Sequence, residues 1–229
     1  GVADRGQHIR GGRVIRCGMS RIAVIPARGG STRIPRKNIL EFHGKPIIAY
    51  SIETAKASGL FDRIIVSTDD REIAETAVQY GATDINERRP EHARNEVGTQ
   101  EVARQVLLDY QGFYNPQYVC VIYATAPLML AEDLKLGLDR LVSTGMDYVY
   151  TVGMQPDGTL IDAGQWYFGK IKSFIDGVPL FENSHGFILP PERVCDINTP
   201  QDWAMAEKLY AALYSSIQNS AMLNQRANL

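Results

Sequence analysis

Three short uncharged runs, at residues 22–26, 64–67 and 118–123, recur along the chain with helix-patterned stretches between them. This alternation constrains the fold more than any other feature. A run of four to six mostly apolar residues suits a strand buried on both faces, as in a parallel sheet. After the first run, residues 46–58 place Ile48, Ile52 and Ala55 at helical spacing, and Gly59 stands where that helix should end. After the second, Asp69 or Asp70 can cap a helix whose inner face is Ile73, Ala74 and Ala77, with Gly81 behind it. Another helix is expected from Thr99, with Val102, Val106 and Tyr110 on one side. Leu134, Leu138 and Leu141 mark a further helix, and residues 148–152 a further strand. The order predicts an α/β fold, a Rossmann-like, mostly parallel sheet with helices on both faces. Ligands of such sheets bind outside the carboxyl ends of the strands, so the loops after the three runs should hold the site.

Beyond Val152 the pattern changes. Asp157-Gly158 is a turn signal, and residues 165–168 and 170–174 read as short strands. They suggest a small β-rich lobe at about 153–190, within a single domain spanning 19–229. A last helix is announced by Thr199 as cap, Pro200 in the first turn and Asp202 three residues after the cap. Its buried side is expected to be Trp203, Ala206, Tyr210 and Leu213, with fraying after Ser216. Residues 1–18 hold five glycines and four arginines without apolar periodicity, and read as a disordered extension.

Charge and cysteine usage exclude several classes. With 24 basic and 26 acidic residues the net charge is −2, so no nucleic-acid partner is expected. No stretch approaches eighteen uninterrupted apolar residues, so no membrane span is expected. The three cysteines, Cys17, Cys120 and Cys195, are too few and too scattered for a disulfide framework, and the four histidines lack zinc-ligand spacing. A cytoplasmic location fits this usage.

The loop at 27–38 reads ARGGSTRIPRKN. It carries Arg28, Arg33, Arg36 and Lys37 and no acid. Gly29 and Gly30 can turn the backbone so that successive N–H groups converge on an anion, and Ser31 and Thr32 add hydroxyl donors. Arginine binds phosphate through paired hydrogen bonds and lysine as a point charge, so the loop suits a triphosphate. It matches neither the Walker A pattern nor the dinucleotide fingerprint. A solvated basic turn is the other reading of the same composition. Magnesium, which takes one or two carboxylates plus phosphate oxygens, has candidates in Asp69, Asp70 and Asp196, although capping is the stronger reading of the Asp69–Asp70 pair.

The blocks IAVIPARGGSTRIPRKN, GKPIIAYSIETAKASGLFDRIIVSTDDREIAETAVQYGA, RRP, IYATAP, DAGQWYFG and RVCDINTPQDW follow one another in order. Together they resemble the CMP-nonulosonic acid synthetases: the acylneuraminate cytidylyltransferases and, more closely, the pseudaminic acid cytidylyltransferases. The resemblance runs from about Met19 to Tyr214. It implies a Mg²⁺-dependent enzyme that joins CTP to a nonulosonic acid, releasing pyrophosphate. It also implies a homodimer. By the same resemblance Arg28, Ser31 and Lys37 hold the triphosphate, with Gly29 and Gly30 shaping the loop and Asn38 near the nucleotide. Arg89 matches a cytidine contact, and Thr99 and the turn at 125–127 match segments lining the CTP and sugar sites. Thr125 and Gln165 are expected on the sugar side. Asp196 and Asn198 match the metal-associated pair, and Arg28, Lys37 and Asp196 the catalytic set. For Thr99, Thr125 and Gln165 a cap or turn role is the other reading.

Three departures accompany the resemblance. Thr32 stands where the family usually has lysine, Asn198 where it usually has aspartate, and the stretch between Val152 and Asp162 is short. The alternatives are a different sugar nucleotidyltransferase and a non-catalytic nucleotide-binding relative. The large apolar residues of 164–189, namely Trp166, Tyr167, Phe168, Phe174, Phe181, Phe187 and Ile188, give a physical reason to expect pairing through the small lobe, since so small a piece buries little surface alone. Packing of these rings on the main sheet is the other reading.

Overall fold

The computed structural model describes residues 9–10, 13–14, 20–94 and 96–227. Within the expected extension, β1 (Ile9–Arg10) pairs antiparallel with β2 (Arg13–Val14). The expectation of disorder otherwise falls outside the described residues.

The uncharged runs become the middle of one sheet. β3 (Arg21–Pro26) lies between β6 (Arg63–Thr68) and β8 (Tyr118–Ile122), parallel to both. β7 (Asp84–Glu87) extends the parallel set past β6. Side chains of β3 alternate between two cores, as the period of two requires. Ala23 and Ile25 face a layer made by α1 (Ile47–Ser58), α2 (Arg71–Tyr80) and α4 (Ala131–Thr144), with Ile48, Ile52, Ile73 and Leu134 buried there. Ile22 and Val24 face the other side, where α3 (Thr99–Asp109) supplies Val106 and Leu107. Each fully buried aliphatic side chain of this kind contributes about 1.5–3 kcal/mol, so both faces of the central strands are fixed by burial. Helices on both faces are thus observed as expected.

The segment expected as a β-rich lobe is continuous with the same sheet. β9 (Tyr148–Met154) and the long β10 (Leu160–Lys170) form a hairpin, and β10 pairs antiparallel with β8. β11 (Ser184–Ile188) adds a parallel edge strand beside β9. The full order is β11-β9-β10-β8-β3-β6-β7. Residues 170–174, expected as a strand, instead begin α5 (Ile171–Ile175). The physical reason is its spacing: Ile171, Phe174 and Ile175 share one helical face, which packs under β10 on Tyr148 and Tyr167. Trp166, Tyr167, Phe168 and Phe174 are all buried within the single chain. They therefore pack on the main sheet and supply no surface for a second subunit, which overturns that part of the argument for pairing.

A third core ties the basic loop to the chain's end. After a small hairpin, β4 (Glu41–Phe42) with β5 (Lys45–Pro46), Phe42 packs with Ile34 of the loop, Ile47, Ile197 and Ala206. Ala206 belongs to α6 (Pro200–Ala227). The start of α6 is the expected capping box: Asp202 N–H donates to Thr199 Oγ1 at 3.2 Å, and Thr199 N–H donates to Asp202 Oδ2 at 2.7 Å. The helix runs to Ala227, past Ser216, where fraying is expected.

Candidate active site

A basic cleft of about 200 Å³ opens at the carboxyl ends of the parallel strands. Pro26 ends β3, Tyr123–Thr125 follow β8, and Arg88 follows β7; all line it. The loop after β3 contributes Arg28, Ser31, Thr32, Arg33, Lys37 and Asn38. Asn198 closes one end, and Val97, Thr99 and Val102 lie along another wall. A larger cavity of about 470 Å³, lined by Leu107, Tyr110, Phe113 and Tyr114 among others, has no charged residue in its lining. The cleft holding the cations is therefore the candidate site, although it is the smaller of the two.

The loop is held from several sides. Ile34 is its apolar anchor. Asn38 Nδ2 donates to the Arg28 carbonyl at 2.9 Å and closes the loop on itself. Gly29 N–H donates to Asp69 Oδ1 at 2.8 Å, and Ser31 N–H to the Gly29 carbonyl at 3.0 Å. Gly29 and Gly30 were expected to turn N–H groups toward an anion. The Gly29 N–H is instead committed to a carboxylate, and neither glycine lines the cleft. Glycine is still required at 29, because an added Cβ would lie 2.7 Å from Asp70 Oδ2. Arg36 turns away from the cleft and pairs with Asp70 and Glu72.

At the other end, the turn before α6 meets the loop. Lys37 Nζ donates to the Ile197 carbonyl at 2.5 Å. Burial lowers the Lys37 pKa; Asp196 opposes that shift, and Arg33 and Arg28 reinforce it. Arg33 donates to Asn198 Oδ1 at 3.0 Å, and Asn198 Nδ2 donates to Asp196 Oδ2 at 2.5 Å. Asn198 thus presents its nitrogen, not its oxygen, to Asp196. The expected Asp196–Asn198 metal pair therefore offers one carboxylate and an amide whose oxygen is occupied. Among the described residues no group of three His, Cys, Asp or Glu side chains is placed to hold a metal. A single carboxylate beside a polyphosphate cleft still fits magnesium, which draws most of its ligands from phosphate and water.

Thr99 is in the cleft, and its Oγ1 is 3.0 Å from the Tyr167 hydroxyl. Thr125 is buried at the cleft wall. Gln165 is 1% exposed; its Nε2 donates to the Arg193 carbonyl at 2.6 Å, and its Oε1 has no hydrogen-bond partner. Gln165 lies behind Tyr123, whose N–H donates to the Gln165 carbonyl at 2.9 Å, rather than in the cleft lining. Arg89 is not brought to the cleft: it pairs with Asp109 at 3.1 Å.

Its neighbour Arg88 is the arginine that sequence reasoning missed. Arg88 is buried, and its Nη2 donates to the Ser67 carbonyl at 2.7 Å. Burial pushes its pKa down to about 10, with Asp69 opposing and Arg28 reinforcing the shift. A buried guanidinium held by neutral oxygens at the wall of a cleft is an anion or acceptor site in want of its ligand. Its signal was the same RRP motif, read one residue off. Asp162 was also missed: burial raises its pKa, and so does the charge of Asp196. Its Oδ1 accepts the Gly164 N–H at 2.8 Å, and Gly164 in turn packs on Asp196, where a Cβ would lie 2.7 Å from Oδ1.

Residues 22–158 match the model of a family described as cytidylyltransferase. The chain is 35% identical over 231 residues to the pseudaminic acid cytidylyltransferase of Campylobacter jejuni subsp. jejuni serotype O:23/36 (strain 81-176), covering 86% of this chain and 99% of that protein. It is 29% identical over 222 residues to the CMP-N,N'-diacetyllegionaminic acid synthase of Legionella pneumophila subsp. pneumophila, covering 82% and 95%. Among solved structures, a CMP:2-keto-3-deoxy-manno-octonic acid synthetase complexed with CTP superposes with a TM-score of 0.63 at 14% identity, covering 86% of this chain and 99% of that one. At that identity the likeness shows the fold alone.

Proposed function

The chain belongs to the cytidylyltransferase family, and from that premise we propose that it activates a nonulosonic acid of the pseudaminic or sialic type with CTP. The observation that carries the reading is the convergence of Arg28, Arg33, Lys37 and Asp196 where the β3 loop meets the turn before α6. In this reading Arg28, Arg33 and Lys37 grip the triphosphate, with Ser31 and Thr32 adding hydroxyl donors. Arg88, beside Val97, Thr99 and Val102, faces the nucleoside end in place of Arg89. The acid's hydroxyl oxygen bonds to the α-phosphorus as the bond to the β-phosphate oxygen breaks. CMP-sugar forms, pyrophosphate leaves with the bonding electrons, and the hydroxyl proton passes to solvent. Cations fixed in place before the reaction stabilise the charge that grows on the leaving group, and no covalent enzyme intermediate is needed. Asp196 would hold Mg²⁺. When bound, that ion supplies neutralising charge to the phosphates. Arg33 holds the Asn198 amide by its oxygen, and that amide in turn donates to the Asp196 carboxylate.

The test is pyrophosphate release with CTP, Mg²⁺ and pseudaminic or N-acetylneuraminic acid; release only with one of these acids supports the reading. One observation favours a nucleotide-binding relative without turnover: Asn198 turns its nitrogen to Asp196. CTP binding with no pyrophosphate from any of a panel of nonulosonic acids would select that reading. A homodimer belongs to the same proposal. Its surface is the β11 edge, where Ile188 is 53% exposed, together with Phe181 at 67%. The proposed setting is the cytoplasm, and no helix among the described residues is long and apolar enough to cross a membrane.

A further inference from the structure

Two adjacent carboxylates at the end of β6 grip the phosphate loop at separate points. Asp69 Oδ1 accepts the Gly29 N–H at 2.8 Å. Asp70 accepts both terminal nitrogens of Arg36, the longer contact at 3.1 Å, while its Oδ1 also caps α2 by accepting the Ile73 N–H at 3.1 Å. Glu72 adds a second contact to Arg36 at 2.5 Å. The Gly29 backbone lies so close to Asp70 that no side chain fits between them. Arg36 itself has φ +56°, the left-handed region that a non-glycine residue rarely occupies. Such a conformation persists where surrounding contacts over-determine it.

The arrangement is opposite to what charge alone would select. A loop meant to hold a polyanion has one of its four cations withdrawn from the cleft, and a carboxylate occupies one of its N–H groups. We infer that Asp69 and Asp70 are positioning residues for nucleotide binding: they fix the loop at Gly29 and Arg36 so that Arg28, Arg33 and Lys37 face the cleft. This inference rests on the reading of the cleft as a CTP site. The clamp acts on geometry, since a preorganised group must be held to within a fraction of an ångström, and small misplacements cost large factors in rate or affinity.

The two views differ in sign, which makes the test sharp. Removing a carboxylate beside a polyanion site should tighten binding on Coulomb grounds, and freeing Arg36 should tighten it further. Loss of the clamp should weaken it. The experiment is calorimetric titration of wild type, Asp69→Asn, Asp70→Asn, Arg36→Gln and the Asp70→Asn/Arg36→Gln double variant with CTP and with inorganic tripolyphosphate. Asparagine at 70 retains an oxygen to cap α2, so the unfolding midpoint without ligand should move by no more than about 3 °C. CTP affinity should fall about tenfold in each single variant. The double variant should be no weaker than either single one, because both remove the same contact. In steady state the KM for CTP should rise, with the KM for the acid unchanged. Equal or tighter CTP binding by Asp70→Asn and Asp69→Asn overturns the clamp while leaving the CTP site standing. A wild-type protein that ignores CTP overturns the functional reading, and the clamp with it.

Discussion

The parallel and antiparallel halves of the sheet do different work. The parallel half, β7-β6-β3-β8, ends in loops that carry Arg28, Arg33, Lys37 and Arg88, and most of its polar groups there are committed to named partners. The antiparallel half, β10 and β9 with the edge strand β11, brings buried aromatics to the core but leaves Met154, Leu160, Ile161 and Ile188 exposed at its margin. Polar links on the cleft side join it to the site: the Tyr123 N–H donates to the Gln165 carbonyl, the Tyr123 hydroxyl to Asp162 Oδ2 at 3.4 Å, Thr99 Oγ1 meets the Tyr167 hydroxyl, and Gln165 Nε2 donates to the Arg193 carbonyl. On the proposed function, the contrast assigns nucleotide gripping to the parallel half, while the acceptor side would be shaped by a few residues of the other half and the turn after it.

Four experiments can break or sharpen this contrast. The largest effect is expected at a nearly buried ion pair. Arg193, in the turn before Asp196, pairs with Asp133 at the start of α4, and both side chains are close to buried. Removing one partner of such a pair strands the other charge, so Asp133→Ala should cost about 3–5 kcal/mol in chemical denaturation. A loss below 1 kcal/mol would mean the pair contributes little to holding the turn before α6 on α4.

Next in size is the grip itself. Arg28→Ala should weaken CTP binding by about 1.5–3 kcal/mol, the range for hydrogen bonds to charged groups. Arg89→Ala, with its side chain on Asp109 and outside the cleft, should change it by less than about 0.5 kcal/mol. Equal losses in the two titrations would mean that Arg89 also reaches the nucleotide.

A smaller change is expected at the junction. Asn198→Asp places a second carboxylate beside Asp196 and takes an acceptor from the Arg33 contact only to return a stronger one. The Mg²⁺ concentration giving half-maximal turnover should fall several-fold, by roughly 1 kcal/mol of added metal affinity. An unchanged metal dependence would confine Asn198 to holding Asp196.

The smallest effect on the fold is expected at the margin. Ile188→Lys on β11 should alter stability by no more than about 0.5 kcal/mol, as exposed substitutions do. Sedimentation should nevertheless shift from dimer toward monomer. A dimer that survives it would place the subunit contact elsewhere.

What was legible in the sequence follows the same division. Uncharged runs announced β3, β6 and β8 because strands buried on both faces leave no room for charge. Asp70 and the Thr199–Asp202 box were readable as caps because capping is local. β10 was read only in part, since Asp162, Gly164 and Gln165 interrupt its apolar pattern at a register shift against β9. The five residues of α5 are too few for periodicity to separate helix from strand. Arg88 and Arg89 show the limit most clearly. Arg88 continues the pairing of β7 through its N–H to the Thr68 carbonyl, and neighbours on extended backbone point to opposite sides. One arginine meets the cleft and the other Asp109, a choice set by register that composition does not carry. The grip of Asp69 on Gly29 spans 40 residues and leaves no local mark.

The strand order also sets a timetable for synthesis. By residue 122 the chain has made every strand of the block β7-β6-β3-β8, but β8, with Val119, Cys120, Val121 and Ile122, keeps one edge free until β10 arrives. That partner is complete only at Lys170. At translation speeds of about 5–20 residues per second, this edge stands bare for roughly 2–10 s. An unpaired apolar edge is a template for association with other chains. Nascent chains on crowded polysomes should therefore need a chaperone in that interval. A chain stopped after α4 should accumulate as insoluble material, and a soluble, monomeric product would show that the bare edge is harmless.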